Sequence, residues 1–205
     1  MAGKDFVKGV KESSQALDGS NLRVLIVHAR WNSEIITPLV EGAKKTMIEK
    51  YKVKPENIVL KDVPGAYELP SATQILLKQS QQQLVPSNDL LSMGINSPQP
   101  ASSPAGSVKG ASSAIQYKPF DVAICIGVLI KGSTMHFEYI ADATSNGIMR
   151  VSLDTGIPCI FGVLTCLTDE QAKERAGIAG QNQNEGHNHG ADWGAAAVEM
   201  ALLKL

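Results

Sequence analysis

Apolar runs of two different periods alternate along this chain, and no other feature narrows its fold as much. LRVLIVHAR (22–30), IVLKDVPG from Ile58, FDVAICIGVLI from Phe120 and IPCIFGVLT from Ile157 are short and dense in aliphatic residues. Runs of that length without strict polar alternation read as parallel strands covered on both faces. Between them lie segments of helical spacing. From Glu34 to Tyr51, the residues Ile35, Ile36, Leu39, Val40, Ala43, Met47 and Ile48 recur at intervals that place them on one helix face. Asn32 and Ser33 offer caps there, and Pro38 is expected in the first turn or so, where a missing N–H costs little. Further helices are expected over 69–79, 136–155, from about Thr168 to Gly177, and 191–203. Gly156 and Pro158 supply stop signals, while Asp169 and Glu170 suit the positive end of a helix dipole.

The order β-α-β-α-β-α-β-α-α predicts an α/β fold, an open parallel sheet of four strands with helices on both faces. Ligands of such sheets bind at the carboxyl ends of the strands. Those ends carry Ala29-Arg30-Trp31, the run from Val63 to Glu68, the run from Lys131 to His136, and Leu164-Thr165. Residues 1–20 are polar and read as an N-terminal arm. The stretch 80–118 is rich in Ser, Pro, Gln and Gly and has no sustained period. It reads as a largely disordered surface insertion in a single domain spanning 21–205. A linker between two domains is the rival reading, and each half alone is small for a stable core.

Charge excludes some partners. Lys and Arg total 19 against 20 Asp and Glu in 205 residues, a net charge of −1. A general nucleic-acid binder needs a basic surplus, and so does an electrostatic membrane anchor. No run of about 18 apolar residues is present to span a bilayer. The first 20 residues lack an apolar signal core. Cys125, Cys159 and Cys166 are odd in number and sit in or beside apolar runs, as free thiols of a reducing compartment do. A cytoplasmic protein is expected. No CxxC pair occurs, and His187, His189 and Asp192 make a weak ligand set, so no metal is expected.

The strand-end residues allow both chemical and structural readings. Gly132-Ser133-Thr134 joins a strand to a helix start, where free N–H groups and two hydroxyls hold an anion or simply cap the helix. His136 beside that turn is a proton shuttle near neutral pH or a local hydrogen-bonding group. Arg175, in KERAG, is a phosphate clamp or a solvated cation at a helix C-terminus. Trp31 offers a stacking surface for a flat heterocycle or fills the core. Glu68 accepts bonds from sugar hydroxyls or starts a helix.

Taken together, ARWNSEII, VPGAYELP, GVLIKGSTMHFEYI, IPCIFGVLT followed by ERAG, and GADWGAAAVEMA resemble the lumazine synthases, in that family's order and spacing. The long insertion and the tryptophan after the first strand resemble the fungal branch. The resemblance implies a flavodoxin-like three-layer αβα sandwich in a homopentamer, with active sites between neighbouring subunits. It implies condensation of 5-amino-6-(D-ribitylamino)uracil with 3,4-dihydroxy-2-butanone 4-phosphate, a transferase step of riboflavin biosynthesis. The product is 6,7-dimethyl-8-ribityllumazine, with release of phosphate and two waters. By motif, Trp31 stacks on the pyrimidine, and Ala66, Tyr67 and Glu68 hold the ribityl chain. Val128, Leu129 and Ile130 contact the ring through the strand end. Ser133 and Thr134 cradle the phosphate, and His136 transfers protons. Phe161 and Arg175 come from the adjacent subunit, Phe161 to the pyrimidine and ribityl side and Arg175 to the phosphate. The same pocket is expected to accept riboflavin. Many members carry lysine where HNHG places His189, which leaves open the part of His189 in phosphate binding. The loop before the last helix is longer than in members that build icosahedral shells, which favours a plain pentamer.

Such chemistry needs no metal and no redox cofactor, because the nucleophilic amine arrives with the substrate. Two rival functions are a non-catalytic flavin or lumazine carrier and a phosphate-sensing flavodoxin-like module. A carrier would lack a working His136 and Arg175, and a sensing module would lack the pyrimidine-side motifs.

Overall fold

A computed structural model describes residues 16–82 and 118–203. Most of the N-terminal arm and of the expected insertion lie outside the described residues. The elements are β1 (Val24–Ala29), α1 (Ser33–Glu49), β2 (Ile58–Val63), α2 (Leu69–Gln82), β3 (Val122–Ile130), α3 (His136–Thr155), β4 (Cys159–Cys166), α4 (Asp169–Ala176) and α5 (His189–Ala201). Two short 3-10 turns, Pro55–Asn57 and Ala66–Glu68, precede β2 and α2.

The four strands pair in the order β2-β1-β3-β4, all parallel. This is the flavodoxin-like order, and the strands are continuous apolar runs because both faces are covered. Alternation within β3 shows the division. Val122, Ile124, Ile126 and Val128 join Leu39, Met47, Ala172, Ala197 and Val198 in one core, so α1, α4 and α5 cover that face. Ala123 and Cys125 join Leu69, Leu77, Ile148 and Val151 in the other, under α2 and α3. The architecture is the expected three-layer αβα sandwich.

Local expectations differ from the structure at several ends. α2 continues to Gln82, into the stretch read as insertion. Its last turn is polar but docked: Ser80 is buried and takes the Phe120 N–H at 3.4 Å, and Gln81 Nε2 donates to Thr155 O at 3.2 Å. Pro38 falls in the second turn of α1, so the carbonyl of Glu34 loses its helical donor. Asn32 makes no side-chain cap. It sits in the left-handed region (φ 63°), and Nδ2 donates instead to Val128 O at 2.9 Å. α5 starts at His189, two residues early, because Asn188 Oδ1 accepts the Gly190 N–H at 2.8 Å and caps it.

Burial also sets the cysteine chemistry. Burial pushes the Cys125 thiol up to about 11, partly offset by its 3.2 Å contact with Thr73 Oγ1. Burial, and then Cys125, push Cys159 up to about 12. Thiolate is the reactive species, so both should resist alkylation near pH 8 in the native protein and react fully in denaturant. Mass spectrometry after iodoacetamide treatment reads this directly, and rapid native labelling of Cys125 would contradict the packing.

Candidate active site

The chain leaves β1 and β3 at the point where the strand order reverses, and the connections there enclose a cavity of about 620 Å³. The β1–α1 connection supplies Trp31 and Asn32, and the β2–α2 connection supplies Pro64 to Glu68. From β3 and α3 come Val128, Leu129, Ile130, Gly132, Thr134, His136, Phe137 and Ile140. Asp169 closes the set from the first residue of α4.

Backbone bonds fix these connections to one another. Arg30 N donates to Val63 O at 2.8 Å and Trp31 N to Pro64 O at 3.2 Å, tying the first connection to the second. The Asn32 amide ties the first to the third. Buried Thr144 on α3 donates to Ala66 O at 3.2 Å, which anchors the Ala66–Glu68 turn. Gly65 N donates to Glu68 Oε2 at 3.0 Å, leaving the other carboxylate oxygen available for a ligand hydroxyl. Trp31 is 74% exposed and Tyr67 59%. An indole so open does not fill the core, so its face is available for stacking.

His136 opens α3 and is exposed at the cavity. Its backbone N–H reaches Thr134 Oγ1 at 3.4 Å, a long bond that leaves the Thr134 hydroxyl proton free to donate elsewhere. Glu138 pairs with Lys131 across the turn rather than with His136. Helix geometry accounts for that, since residues two apart do not share a face.

Trp31, Ala66, Tyr67, Glu68, Val128, Leu129, Ile130, Thr134 and His136 therefore share one cavity within a single chain. Ser133, Phe161, Arg175 and His189 are not among its lining residues. Ser133 is exposed on the same turn as Thr134. Phe161 lies in β4, the sheet edge, and is 42% exposed. Arg175 is exposed in the last turn of α4, 3.9 Å from Glu174. His189 opens α5, with Nδ1 3.4 Å from Asp192 Oδ2. Burial, ahead of the opposing pull of Asp192, holds its imidazole below the usual histidine range; His187 and Arg175 act in the same direction as burial. Among the described residues, no cluster of three or more His, Cys, Asp or Glu side chains is arranged to hold a metal ion.

Asn32, Phe137, Ile140 and Asp169 line the cavity without a site role expected from the sequence, which marks Asn32 and Asp169 only as helix-start residues. Asn32 carried a signal in retrospect: asparagine tolerates the left-handed backbone region, and it follows a strand end directly. Phe137 and Ile140 are ordinary apolar residues of an amphipathic helix, and nothing in their spacing marks them as lining.

The family model for 6,7-dimethyl-8-ribityllumazine synthase matches residues 21–87 and 107–204, which include all the connections that line the cavity. The chain belongs to the 6,7-dimethyl-8-ribityllumazine synthase family. It is 53% identical over 201 residues to the 6,7-dimethyl-8-ribityllumazine synthase of Pyricularia oryzae, covering 93% of this chain and 92% of that one. It is 46% identical over 199 residues to that of Schizosaccharomyces pombe, covering 97% of both. A bacterial relative of the same name, from Streptomyces avermitilis, is 32% identical over 180 residues, covering 88% of this chain and 85% of its own. Lumazine synthases are transferases, and the family places this enzyme in riboflavin biosynthesis. Among the described residues, no helix is long and apolar enough to cross a membrane.

Proposed function

We propose that the cavity condenses 5-amino-6-(D-ribitylamino)uracil with 3,4-dihydroxy-2-butanone 4-phosphate, giving 6,7-dimethyl-8-ribityllumazine, phosphate and two waters. One observation carries the residue assignment: a flat open indole, a half-engaged carboxylate and an imidazole face a single cavity at the switch point of the sheet. Trp31 stacks on the pyrimidine, and Val128, Leu129 and Ile130 contact its edge through the strand end. Tyr67, Glu68 and the backbone of Ala66 bind the ribityl chain.

The substrate amine attacks the ketone and an imine forms with loss of water. Phosphate then leaves by elimination, and ring closure releases the second water. Each step moves a proton, which suits His136 as general acid and base. Holding two substrates side by side supplies much of the remaining acceleration.

The phosphate end completes between subunits. In a cytoplasmic homopentamer, Ser133 and Thr134 of one chain and Arg175 of the next bracket the departing phosphate, and Phe161 of that next chain adds to the pyrimidine and ribityl side. Two features support this arrangement. Arg175 and Phe161 are exposed yet lie outside the cavity of their own chain. The outer side of α3 also presents Tyr139, Met149 and Leu153, exposed at 72%, 61% and 75%, opposite Thr144, Ile148 and Val151 in the core. Asp142 and Asn146 share that exposed face, which makes it a mixed apolar and polar surface of the kind a subunit contact covers. Riboflavin is expected to bind at Trp31 by the same stacking.

Mixing the purified protein with both substrates tests this reading. Lumazine absorbance should rise with one phosphate released per product. Binding of the pyrimidine without product would identify a carrier instead.

A further inference from the structure

The loop between α4 and α5 is built as a rigid support. Ala179 and Glu185 exchange backbone hydrogen bonds at 3.0 Å in both directions, closing a small hairpin. Gly186, at φ 100°, presses against α4, where a Cβ would come within 2.8 Å of the Glu174 carbonyl carbon. His187 N–H donates to that carbonyl oxygen at 2.9 Å. Asn188 Nδ2 donates to Pro38 O at 2.8 Å. The segment 186–189 is therefore fastened to the residue preceding Arg175 and to α1.

On this support, one carboxylate oxygen serves two imidazoles. Asp192 Oδ2 lies 2.7 Å from His187 Nε2 and 3.4 Å from His189 Nδ1. The two rings meet edge to face, with centroids 5.2 Å apart. A carboxylate only accepts, so His187 Nε2 carries the proton of its hydrogen bond to Asp192, while His189 Nδ1 stands within ion-pair distance of the same oxygen. His187 Nδ1 and His189 Nε2 are left facing away from Asp192, and each donates to an anion when its ring carries the second proton, a form that a bound phosphate favours.

We propose that Asp192 is a positioning residue, holding His187 and His189 as a paired-imidazole arm beside Arg175 that grips the phosphate of the phosphorylated substrate. This rests on the reading of Arg175 as the phosphate ligand. It adds His187, and it gives the short arm of His189 a fixed direction in place of a long flexible amine. Asp192 itself does not touch substrate, because an anion would repel it.

The test compares Asp192→Asn, Asp192→Glu, His187→Gln and Arg175→Ala with the parent, as intact assemblies matched for thermal stability. Asp192→Asn should raise the KM for the butanone phosphate roughly tenfold, the scale of one charge-assisted hydrogen bond. Its kcat and its pyrimidine KM should hold, and Asp192→Glu should recover most of the loss. His187→Gln should raise the same KM independently, which covers a poorly folding Asp192 variant. Inhibition by inorganic phosphate should weaken in parallel. A raised phosphate-side KM in Arg175→Ala with none in Asp192→Asn and His187→Gln would overturn the arm and leave the phosphate site standing. No change in any variant would overturn both.

Discussion

His136→Ala should lower kcat about a hundredfold, the lower end of the range for a positioned acid-base group. Positioning of two substrates accounts for the rest of the rate, and that contribution survives the substitution. The pyrimidine KM should hold within about twofold, because its contacts come from other connections. Trp31 follows β1, Tyr67 and Glu68 precede α2, and Val128 to Ile130 end β3. None of these leans on the imidazole, and the bond from residue 136 to Thr134 Oγ1 is made by its backbone N–H, not by the ring. Steady-state kinetics with each substrate varied in turn separates the two effects. A fall in pyrimidine affinity with kcat intact would make His136 a binding group rather than a proton carrier.

Gly190→Ala should destabilise the fold by about 3 kcal/mol or more, the upper range for overpacking against backbone. The cause lies in how closely α5 approaches α1. A Cβ at Gly190 would come within 2.8 Å of the Leu39 carbonyl carbon and closer still to its oxygen. One helical turn on, a Cβ at Gly194 would lie 2.6 Å from Ala43 O. Backbone carbonyls cannot swing aside as a flexible side chain does, so the helices must separate. Separation would also break the Asn188 bond to Pro38 and release the loop that carries His187 and His189. Chemical denaturation should show the loss, with phosphate-side binding impaired in whatever assembly remains. An unfolding free energy within about 0.5 kcal/mol of the parent would mean that the two helices pack less tightly than described.

Strand identity was legible because burial on both faces forces continuous apolar runs, and FDVAICIGVLI and IPCIFGVLT are of that kind. The start and stop of α3 were legible as well, since Gly156 takes the left-handed cap position (φ 67°) that its sequence position suggested. What escaped depended on contacts distant in sequence. The last turn of α2 is polar, and its Ser80 and Gln81 are held by Phe120 and Thr155, which no local pattern announces. Asn32 looked like a helix cap, and Val128, 96 positions away, decides otherwise. The cavity follows the same logic. Strand-end polar residues could be named from sequence because the fold class places them there. Phe137, Ile140 and Asp169 could not, because lining is a property of the assembled connections.

The arrangement of Arg175, Phe161 and His189 outside their own chain's cavity leads to the account's main claim, a catalytic centre divided between two chains. Subunit complementation tests it most directly. His136→Ala and Arg175→Ala assemblies are each prepared, dissociated, mixed in equal amounts and reassembled. Random mixing gives about one quarter of the interfaces an intact histidine from one chain and an intact arginine from its neighbour, provided the ring is symmetric and each site spans one interface. Activity should then recover to about a quarter of the parent level, well above either variant alone. A mixed assembly no more active than the mean of its two parents would show that histidine and arginine must come from the same chain, and the divided site would be wrong.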